Sequence, residues 1–212
     1  MSASFPFDPA LRERILTNLK EHERIQIADP GLRQAGVVLA VVGMPDSSEA
    51  AVLLTKRQAN LRRHAGQFAL PGGRLDEGET AEQAAVRELR EELKITVDES
   101  DILGVLDDLP TRSGFRITPI VAWCGMALEI EPDPVEVAKV FRIPMTELDS
   151  PAIPHLVTVR EGEPPVMSAP LPTTGGQVYA PTAAMLYQFR EVALHGRITR
   201  VSHLGQPQFA WR

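Results

Sequence analysis

The sequence has very little cysteine and no long hydrophobic run, and both shortages narrow what the chain can be. Its 212 residues contain one cysteine, Cys124, which excludes an internal disulfide and fits a reducing compartment. No segment approaches the roughly 18 consecutive apolar residues that a membrane-spanning helix needs. The first residues show no basic stretch followed by an apolar one. We therefore expect a cytoplasmic protein with neither a membrane span nor a secretory signal.

Positive charge is also in short supply. Lysine and arginine total 22 against 28 aspartates and glutamates, and the formal net charge is −6. Broad nucleic-acid binding usually needs a basic face, so this balance disfavours it. A phosphorylated small molecule is not excluded, because a bound divalent cation reverses the local sign of the charge. Hydrophobic residues make up 43% of the chain, enough for a real core, in which we expect Cys124 to be a buried thiol.

Hydrophobic spacing predicts a mixed α/β protein. We expect helices at residues 8–23, 81–94 and 182–194, and a short helical turn at 145–148. Strands are expected at 35–42, 51–55, 102–106, 117–128 and 137–143, and loops at 56–73 and 161–176. We divide the chain into an N-terminal helical extension (1–34), a catalytic-type domain (35–194) and a C-terminal tail packed on it (195–212).

One predicted helix carries a cluster of carboxylates. Residues three and four apart share a helix face, so Glu88, Glu91 and Glu92 project together, and Leu89 and Leu93 fall on a neighbouring apolar side. Like charges at these spacings repel by roughly 0.2–0.5 kcal/mol per pair. Mg²⁺ or Mn²⁺ removes that repulsion, because hard cations prefer carboxylate oxygens. Taken alone, the three glutamates also fit a solvated helix face.

The segment around this helix resembles the Nudix box, G-x5-E-x7-R-E-U-x-E-E-x-G-U, in which U is a large aliphatic residue. The residues in register are Gly73, Glu79, Arg87, Glu88, Leu89, Glu91, Glu92 and Ile95. The resemblance implies the Nudix fold, a mixed β-sheet between helices, and metal-dependent hydrolysis of a pyrophosphate bond. Lys94 departs from the pattern, which has glycine there. It is expected either to extend the helix or to adopt a left-handed conformation at a cost of roughly 1–2 kcal/mol.

The resemblance also implies a set of metal ligands. Glu88 and Glu92 match the principal ligands of the family. Glu91 matches a third acid that binds a further ion or its water, and the backbone carbonyl of Gly72 matches a frequent extra ligand. The expected cofactor is therefore Mg²⁺ or Mn²⁺, with hard oxygen donors throughout.

Three box residues carry implied catalytic or positioning roles. Glu79 and Arg87 match a pair that pins the preceding loop to the helix. The base that deprotonates the attacking water differs within the family, and Glu91 is our first candidate. Acids on a later loop are the alternatives. They are Glu131, Asp133 and Glu136.

Residues before the box narrow the expected substrate. They resemble an additional signature of the coenzyme A diphosphatase branch, in which Thr55, Arg57, His64, Gly66 and residues 69–73 are in register. Gln58 departs, because a small residue is usual there. We expect the substrate phosphates to be bound by basic side chains, since arginine suits bidentate phosphate contact. The expected residues are Lys56, Arg57, Arg62 and His64.

These resemblances imply hydrolysis of coenzyme A or an acyl derivative to 3′,5′-ADP and a 4′-phosphopantetheine portion. The alternatives are a Nudix pyrophosphatase for ADP-ribose or a dinucleotide, a Nudix domain that binds a ligand without cleaving it, and a structural protein with an incidental acidic helix. The expected partner is a small nucleotide, with neither nucleic acid nor a membrane. The sequence leaves a homodimer open.

Overall fold

A mixed β-sheet forms the centre of the chain. The structure, a computed structural model, describes residues 4–61, 64–126, 128–158 and 164–207. Its α-helices are α1 (Pro9–Glu21), α2 (Ala81–Leu93), α3 (Met145–Leu148) and α4 (Thr182–Phe189), and a π-helical turn, Arg190–Leu194, continues α4. Its strands are β1 (Arg33–Gly43), β2 (Ala50–Arg57), β3 (Phe68–Ala69), β4 (Gly72–Arg74), β5 (Ile102–Val105), β6 (Leu109–Pro110), β7 (Phe115–Gly125), β8 (Val137–Pro144), β9 (His155–Val157), β10 (Val166–Leu171) and β11 (Gly176–Tyr179).

The strands pair into one large and one small sheet. The large sheet has the order β3-β2-β1-β7-β5, with β4 paired to β1, β6 to β7 and β8 to β2. Strands β1 and β7 run parallel, and the other pairs of this sheet are antiparallel. The small sheet is antiparallel in the order β11-β10-β9. Strand β1 is therefore central, and its side chains reach both faces of the sheet.

Hydrophobic clusters cover both faces of the large sheet. On one face, β1 and α2 share a buried cluster that includes Val38, Ala40, Leu89 and Leu93. On the other face, β1 shares a cluster with α1 and α4 that includes Val37, Leu39, Ile15 and Phe189. The alternation along β1 follows from the two-residue period of a strand. The expected α/β/α sandwich is confirmed.

Most of the predicted elements are confirmed, and the loop expected at 161–176 is wrong within the described part of that range, since residues 161–163 lie outside it. Residues 166–171 of that segment form β10, which pairs with β9 and β11. Its proline and glycine content indicated a loop, but Met167, Ala169 and Leu171 are fully buried in the larger cluster. Burial of alternate residues outweighs local composition here. The loop expected at 56–73 likewise contains the end of β2 and the short strands β3 and β4.

Both ends of α2 show how the sequence delimits it. Thr80 and Gln83 form a reciprocal capping box at its start, which satisfies two backbone N–H groups of the first turn. Lys94 ends the helix in the left-handed conformation, with φ 60° and ψ 23°. The second of the two expectations for Lys94 is therefore the observed one.

The segments that flank the central sheet meet at a buried aspartate, Asp107. Its carboxylate accepts hydrogen bonds from the backbone N–H of Ile25 and from Arg200, Gln188 and His22. Burial alone would raise the pKa of Asp107, but these bonds together lower it below its ordinary value. The segment before β1 and the segment after α4 thereby both form hydrogen bonds with the Asp107 carboxylate. None of the helices in the described ranges is long and apolar enough to cross a membrane.

Candidate active site

Two glycines bring the acidic helix against the sheet. A Cβ atom at Gly36 of β1 would lie 2.2 Å from the carbonyl oxygen of Ala81, so α2 starts closer to β1 than any side chain would permit. A Cβ atom at Gly73 of β4 would lie 2.2 Å from Oε1 of Glu88. Real Cβ atoms do not approach other atoms that closely. The carboxylate of Glu88 therefore occupies the space that a side chain on β4 would fill.

A pocket of about 400 Å³ opens beside this glycine turn. Several residues singled out in the sequence line it together. They are Arg57, His64, Gly72, Gly73, Glu88 and the loop acid Glu136. Lys56, Glu79, Arg87, Glu91 and Glu92 are not part of its lining. Arg62 lies outside the described residues.

Glu92 lies behind the pocket and is almost completely buried. It is 4% exposed, and within the described part of the chain its Oε2 has no hydrogen-bond partner. Nη1 of Arg57 lies 3.9 Å from its Oε1. Burial raises the pKa of Glu92 to about 8, although Arg57 and a backbone hydrogen bond from Gly72 lower it. In the absence of a cation, this carboxyl group therefore holds its proton at neutral pH.

The other two acids of the helix differ in exposure. Glu88 is partly buried and accepts a hydrogen bond of 2.9 Å from Nη1 of Arg87. Burial raises its pKa, Arg87 lowers it, and the charges of Glu91 and Glu136 raise it again. The side chain of Glu91 is 55% exposed, with Oε2 3.4 Å from Nη1 of Arg87. The three carboxylates of this helix thus differ in exposure: Glu92 is deeply buried, Glu88 is partly buried and Glu91 is solvated.

Arg87 links the helix to the turn that precedes it. Its Nε and Nη2 donate to the two carboxylate oxygens of Glu79 at 2.9 and 3.0 Å, and Nη2 also donates to the carbonyl of Arg74. Glu79 in turn accepts from the backbone N–H of Asp76 at 2.9 Å. The hydrogen bond between them, working against burial, lowers the pKa of Glu79 and raises that of Arg87. This planar fork fixes residues 74–79 relative to α2.

The loop that carries Glu136 is held by backbone contacts. Asp133 N–H donates to the carbonyl of Glu92 at 2.8 Å. Gln58 donates its backbone N–H to the carbonyl of Glu136 and its side-chain amide to the carbonyl of Pro134. Gln58, which departs from the upstream signature, therefore positions the loop beside α2.

Of the three loop acids weighed from the sequence, Glu136 is the one that lines the pocket. Its Oε2 lies 3.7 Å from Nη2 of Arg57. The carboxylate of Asp133 accepts instead from the backbone N–H of Val135 at 2.8 Å, and Glu131 donates its N–H to the carbonyl of Leu93. Glu136 is thus the loop carboxylate that a ligand in the pocket meets.

The basic residues before the box occupy different places. His64 has a positive φ of 54°, and its Nδ1 lies 3.2 Å from Oε1 of Gln67. A positive φ is uncommon for a residue with a side chain. At His64 it forms part of a short turn in the pocket wall. Nζ of Lys56 lies 5.6 Å from the ring centroid of Phe68. Neighbouring residues of a strand point to opposite faces, which separates Lys56 from Arg57.

The sequence does not predict most of the residues that form the pocket wall. The apolar lining includes Phe68, Phe115, Ile117, Pro181 and Met185, and Thr111, Ser113 and Thr182 add polar atoms. Some of these residues belong to α4 and β7, distant in the chain from the box. Phe68 follows His64 and Gly66 closely in the sequence, but nothing local indicates that it lines a pocket. Cys124, expected to be a buried thiol, is partly buried against the cluster that β1 shares with α2, and burial raises the pKa of its thiol to about 12.

A ready-made metal site is not present among the described residues, where no three His, Cys, Asp or Glu side chains are grouped closely enough to hold an ion. The carboxylates of Glu88 and Glu91 instead contact Arg87, and that of Glu92 faces Arg57. Among the buried side-chain atoms of the described residues that lack hydrogen-bond partners, two belong to this ion pair, Oε2 of Glu92 and Nε of Arg57. Buried polar atoms usually have partners, so an ion or water is the natural occupant beside Glu92. Carboxylate oxygens match the donors that Mg²⁺ and Mn²⁺ prefer.

Fold and pocket together define an α/β/α sandwich that presents an acidic helix at a glycine-rich turn. The profile of the family described as NUDIX domain matches residues 33–160 of this chain, which is more than half of it. The chain belongs to this family.

Relatives carry the same family name. A protein from Cronobacter sakazakii named "Uncharacterized Nudix hydrolase NudL" is 42% identical over 116 residues, which cover 54% of this chain and 59% of the relative. A protein of the same name from Photorhabdus laumondii is 38% identical over 133 residues, covering 62% of this chain and 70% of the relative. The match thus spans less than two thirds of the Cronobacter protein. Among solved structures, a MutT/nudix family protein from Enterococcus faecalis is 15% identical, with a TM-score of 0.49 over 85% of this chain and 68% of its own.

Proposed function

We propose that this protein is a metal-dependent pyrophosphatase that hydrolyses coenzyme A or an acyl derivative to 3′,5′-ADP and a 4′-phosphopantetheine portion. One observation carries the proposal. Glu88 of the acidic helix, the loop acid Glu136 and the cation Arg57 line one pocket with the glycine turn. Acids for a cation and a guanidinium for phosphate are the groups that a pyrophosphate requires.

We assign the cation to Glu88 and Glu92, with Glu91 and the carbonyl of Gly72 as further oxygen donors. The unpartnered Oε2 of Glu92 supports this assignment, because a buried polar atom without a partner is costly unless an ion or hydrogen bond compensates it. A bound Mg²⁺ or Mn²⁺ would lower the pKa of a coordinated water and neutralise charge on the leaving phosphate. Binding also requires Glu92 to release the proton that burial favours.

The remaining residues position the substrate and the helix. Arg57 is 25% exposed, and its guanidinium faces two carboxylates at 3.9 and 3.7 Å. These distances exceed a hydrogen bond, so the guanidinium can turn to a phosphate oxygen. We assign His64 to the substrate as well, since it lines the same pocket. Arg87 and Glu79 do not line it, and in this proposal they are positioning residues that hold the turn and orient Glu88.

We propose Glu136 as the base that takes a proton from the attacking water, with Glu91 as the alternative. Glu136 lines the pocket, whereas the exposed carboxylate of Glu91 contacts Arg87. Glu136→Gln is then expected to lower kcat by about a hundredfold. Glu91→Gln is the matched comparison on the helix. If Glu91→Gln alone lowers kcat to that extent, the base is Glu91.

The substrate is tested by a parallel assay. Purified protein is incubated with coenzyme A or ADP-ribose, with Mg²⁺, with Mn²⁺ or with chelator, and the products are separated by chromatography. We expect 3′,5′-ADP from coenzyme A only when the metal is present. Cleavage of ADP-ribose alone would replace coenzyme A with the alternative substrate and leave the metal-dependent chemistry intact. An identical result with chelator would refute the proposal.

A further inference from the structure

Two arginines and an aromatic ring lie together at one rim of the pocket. Arg74 and Phe115 belong to its lining. The central carbon of the Arg74 guanidinium lies 5.3 Å from the ring centroid of Phe115, and that of Arg33 lies 4.1 Å from it. Neither arginine matches a residue of the Nudix box, and neither has a role in the proposed hydrolysis.

The sheet register brings these side chains together. Arg33 of β1 is the direct partner of Phe115 in the parallel pair β1–β7. Arg74 of β4 is the partner of Ala35 on the other edge of β1. Arg33 and Ala35 are two residues apart, so they point to the same face of the sheet. The backbone of Arg74 is additionally fixed by the hydrogen bond from Arg87 to its carbonyl.

The two arginines differ in what holds them. Nη2 of Arg33 donates to the carbonyl of Ser113 at 2.7 Å, so stacking and this bond account for its position. The Arg74 guanidinium has no side-chain hydrogen bond and no carboxylate within 4 Å in the described part of the chain. In a protein of net charge −6, whose same pocket contains carboxylates, an exposed guanidinium left without an acid is available to an anionic ligand.

We propose that Arg74, supported by Arg33 and Phe115, binds a phosphate monoester of the substrate that is separate from the pyrophosphate undergoing cleavage. The inference rests on the proposed function and sharpens its substrate class to nucleotides that carry an additional phosphate. Guanidinium groups bind phosphate through paired N–H donors. The 3′-phosphate of coenzyme A is such a monoester, whereas ADP-ribose and dephospho-coenzyme A have none.

The kinetic test compares coenzyme A with dephospho-coenzyme A, which share the same pyrophosphate. For the wild-type protein we expect a KM for coenzyme A about tenfold or more below that for dephospho-coenzyme A. Arg74→Gln and Arg33→Gln should raise the KM for coenzyme A towards the dephospho value, leave its kcat within about twofold, and leave dephospho-coenzyme A nearly unaffected. Arg74→Lys, which keeps the charge, should recover part of the difference.

A matched control removes one positive charge elsewhere. Arg90 is exposed on α2 and outside the pocket lining, and Arg90→Gln should leave the ratio of the two KM values unchanged. A loss that is equal for both substrates in Arg74→Gln would overturn the monoester subsite, because it would indicate a general effect of charge. An unchanged ratio in both rim variants would overturn it too.

Direct binding separates this inference from the hydrolytic proposal. Calorimetric titration with adenosine 3′,5′-bisphosphate and with 5′-AMP requires no turnover. We expect the bisphosphate to bind about tenfold or more tightly than 5′-AMP, with the advantage lost in Arg74→Gln. If coenzyme A is not hydrolysed but this advantage is present, the proposed reaction fails and the subsite stands. Equal binding of the two nucleotides by the wild-type protein would refute the subsite.

Discussion

Replacing Glu92 with glutamine is expected to change how the stability of the metal-free protein depends on pH. The ordinary pKa of the group is 4.5, and burial raises it to about 8 in the folded protein. Between these values the folded state holds a proton that the unfolded state has released. Rising pH therefore favours unfolding, and the stabilisation that the protonated group provides below about pH 4.5 is lost as the pH rises through about 8.

The magnitude follows from the size of the pKa change. At about 1.4 kcal/mol per pKa unit, the free energy of unfolding should fall by about 4 kcal/mol between about pH 5 and about pH 9 because of this group alone. Glutamine keeps the shape of the side chain and does not titrate, so Glu92→Gln should lack this contribution. Added Mg²⁺ should offset it in the wild-type protein, because the ion binds the deprotonated carboxylate.

Urea unfolding in the presence of chelator, followed by circular dichroism at several pH values, measures the effect. The informative quantity is the difference in unfolding free energy between the wild-type protein and the variant. Glu91→Gln is the control on the same helix, since the Glu91 side chain is 55% exposed and its carboxylate keeps its water. A difference between wild type and Glu92→Gln that is the same at low and high pH would refute the reasoning.

Three further substitutions test the geometry around α2. Gly73→Ala places a methyl group 2.2 Å from Oε1 of Glu88. The rate of metal-dependent hydrolysis should therefore fall by about tenfold or more, and Tm should drop. An unchanged rate of hydrolysis would contradict the close approach. Arg87→Lys removes the fork to Glu79 and should lower the urea-unfolding free energy by about 1–3 kcal/mol, and a variant as stable as wild type would show that the fork is dispensable. Lys94→Gly relieves a left-handed residue at φ 60° and should raise the unfolding free energy by up to about 1 kcal/mol; a lower Tm would argue against strain at this position.

The parts of the molecule that the sequence predicts best are those governed by local rules. The capping box at the start of α2, the spacing of the glutamates and the apolar run of β1 depend on residues within a few positions of one another. The capping box of Thr80 and Gln83 and the extent of α2 are found in the structure where the sequence indicates them. The family box marks Gly73 as part of the motif, and the structure adds that this glycine lies against Glu88.

What the sequence does not predict depends on contacts between distant segments. Strand β10 forms in a segment rich in proline because its alternate residues are buried by elements far along the chain. Phe115 becomes a pocket wall because β7 pairs in parallel with β1, and a parallel pairing leaves no local signal. Which of the loop acids lines the pocket also depends on a contact between distant segments. Gln58 holds the loop that presents Glu136, and that contact joins the residue after β2 to the turn before β8.

The central claim is that the carboxylates of α2 hold the cation required to hydrolyse coenzyme A. The most direct test is the initial rate of coenzyme A cleavage at saturating Mg²⁺ for wild type, Glu92→Gln and Glu82→Gln. Glu82 lies in the first turn of the same helix, outside the pocket lining. We predict release of 3′,5′-ADP by wild type and Glu82→Gln at similar rates, and a loss of about a hundredfold or more in Glu92→Gln. Cleavage by Glu92→Gln at the wild-type rate would contradict the account.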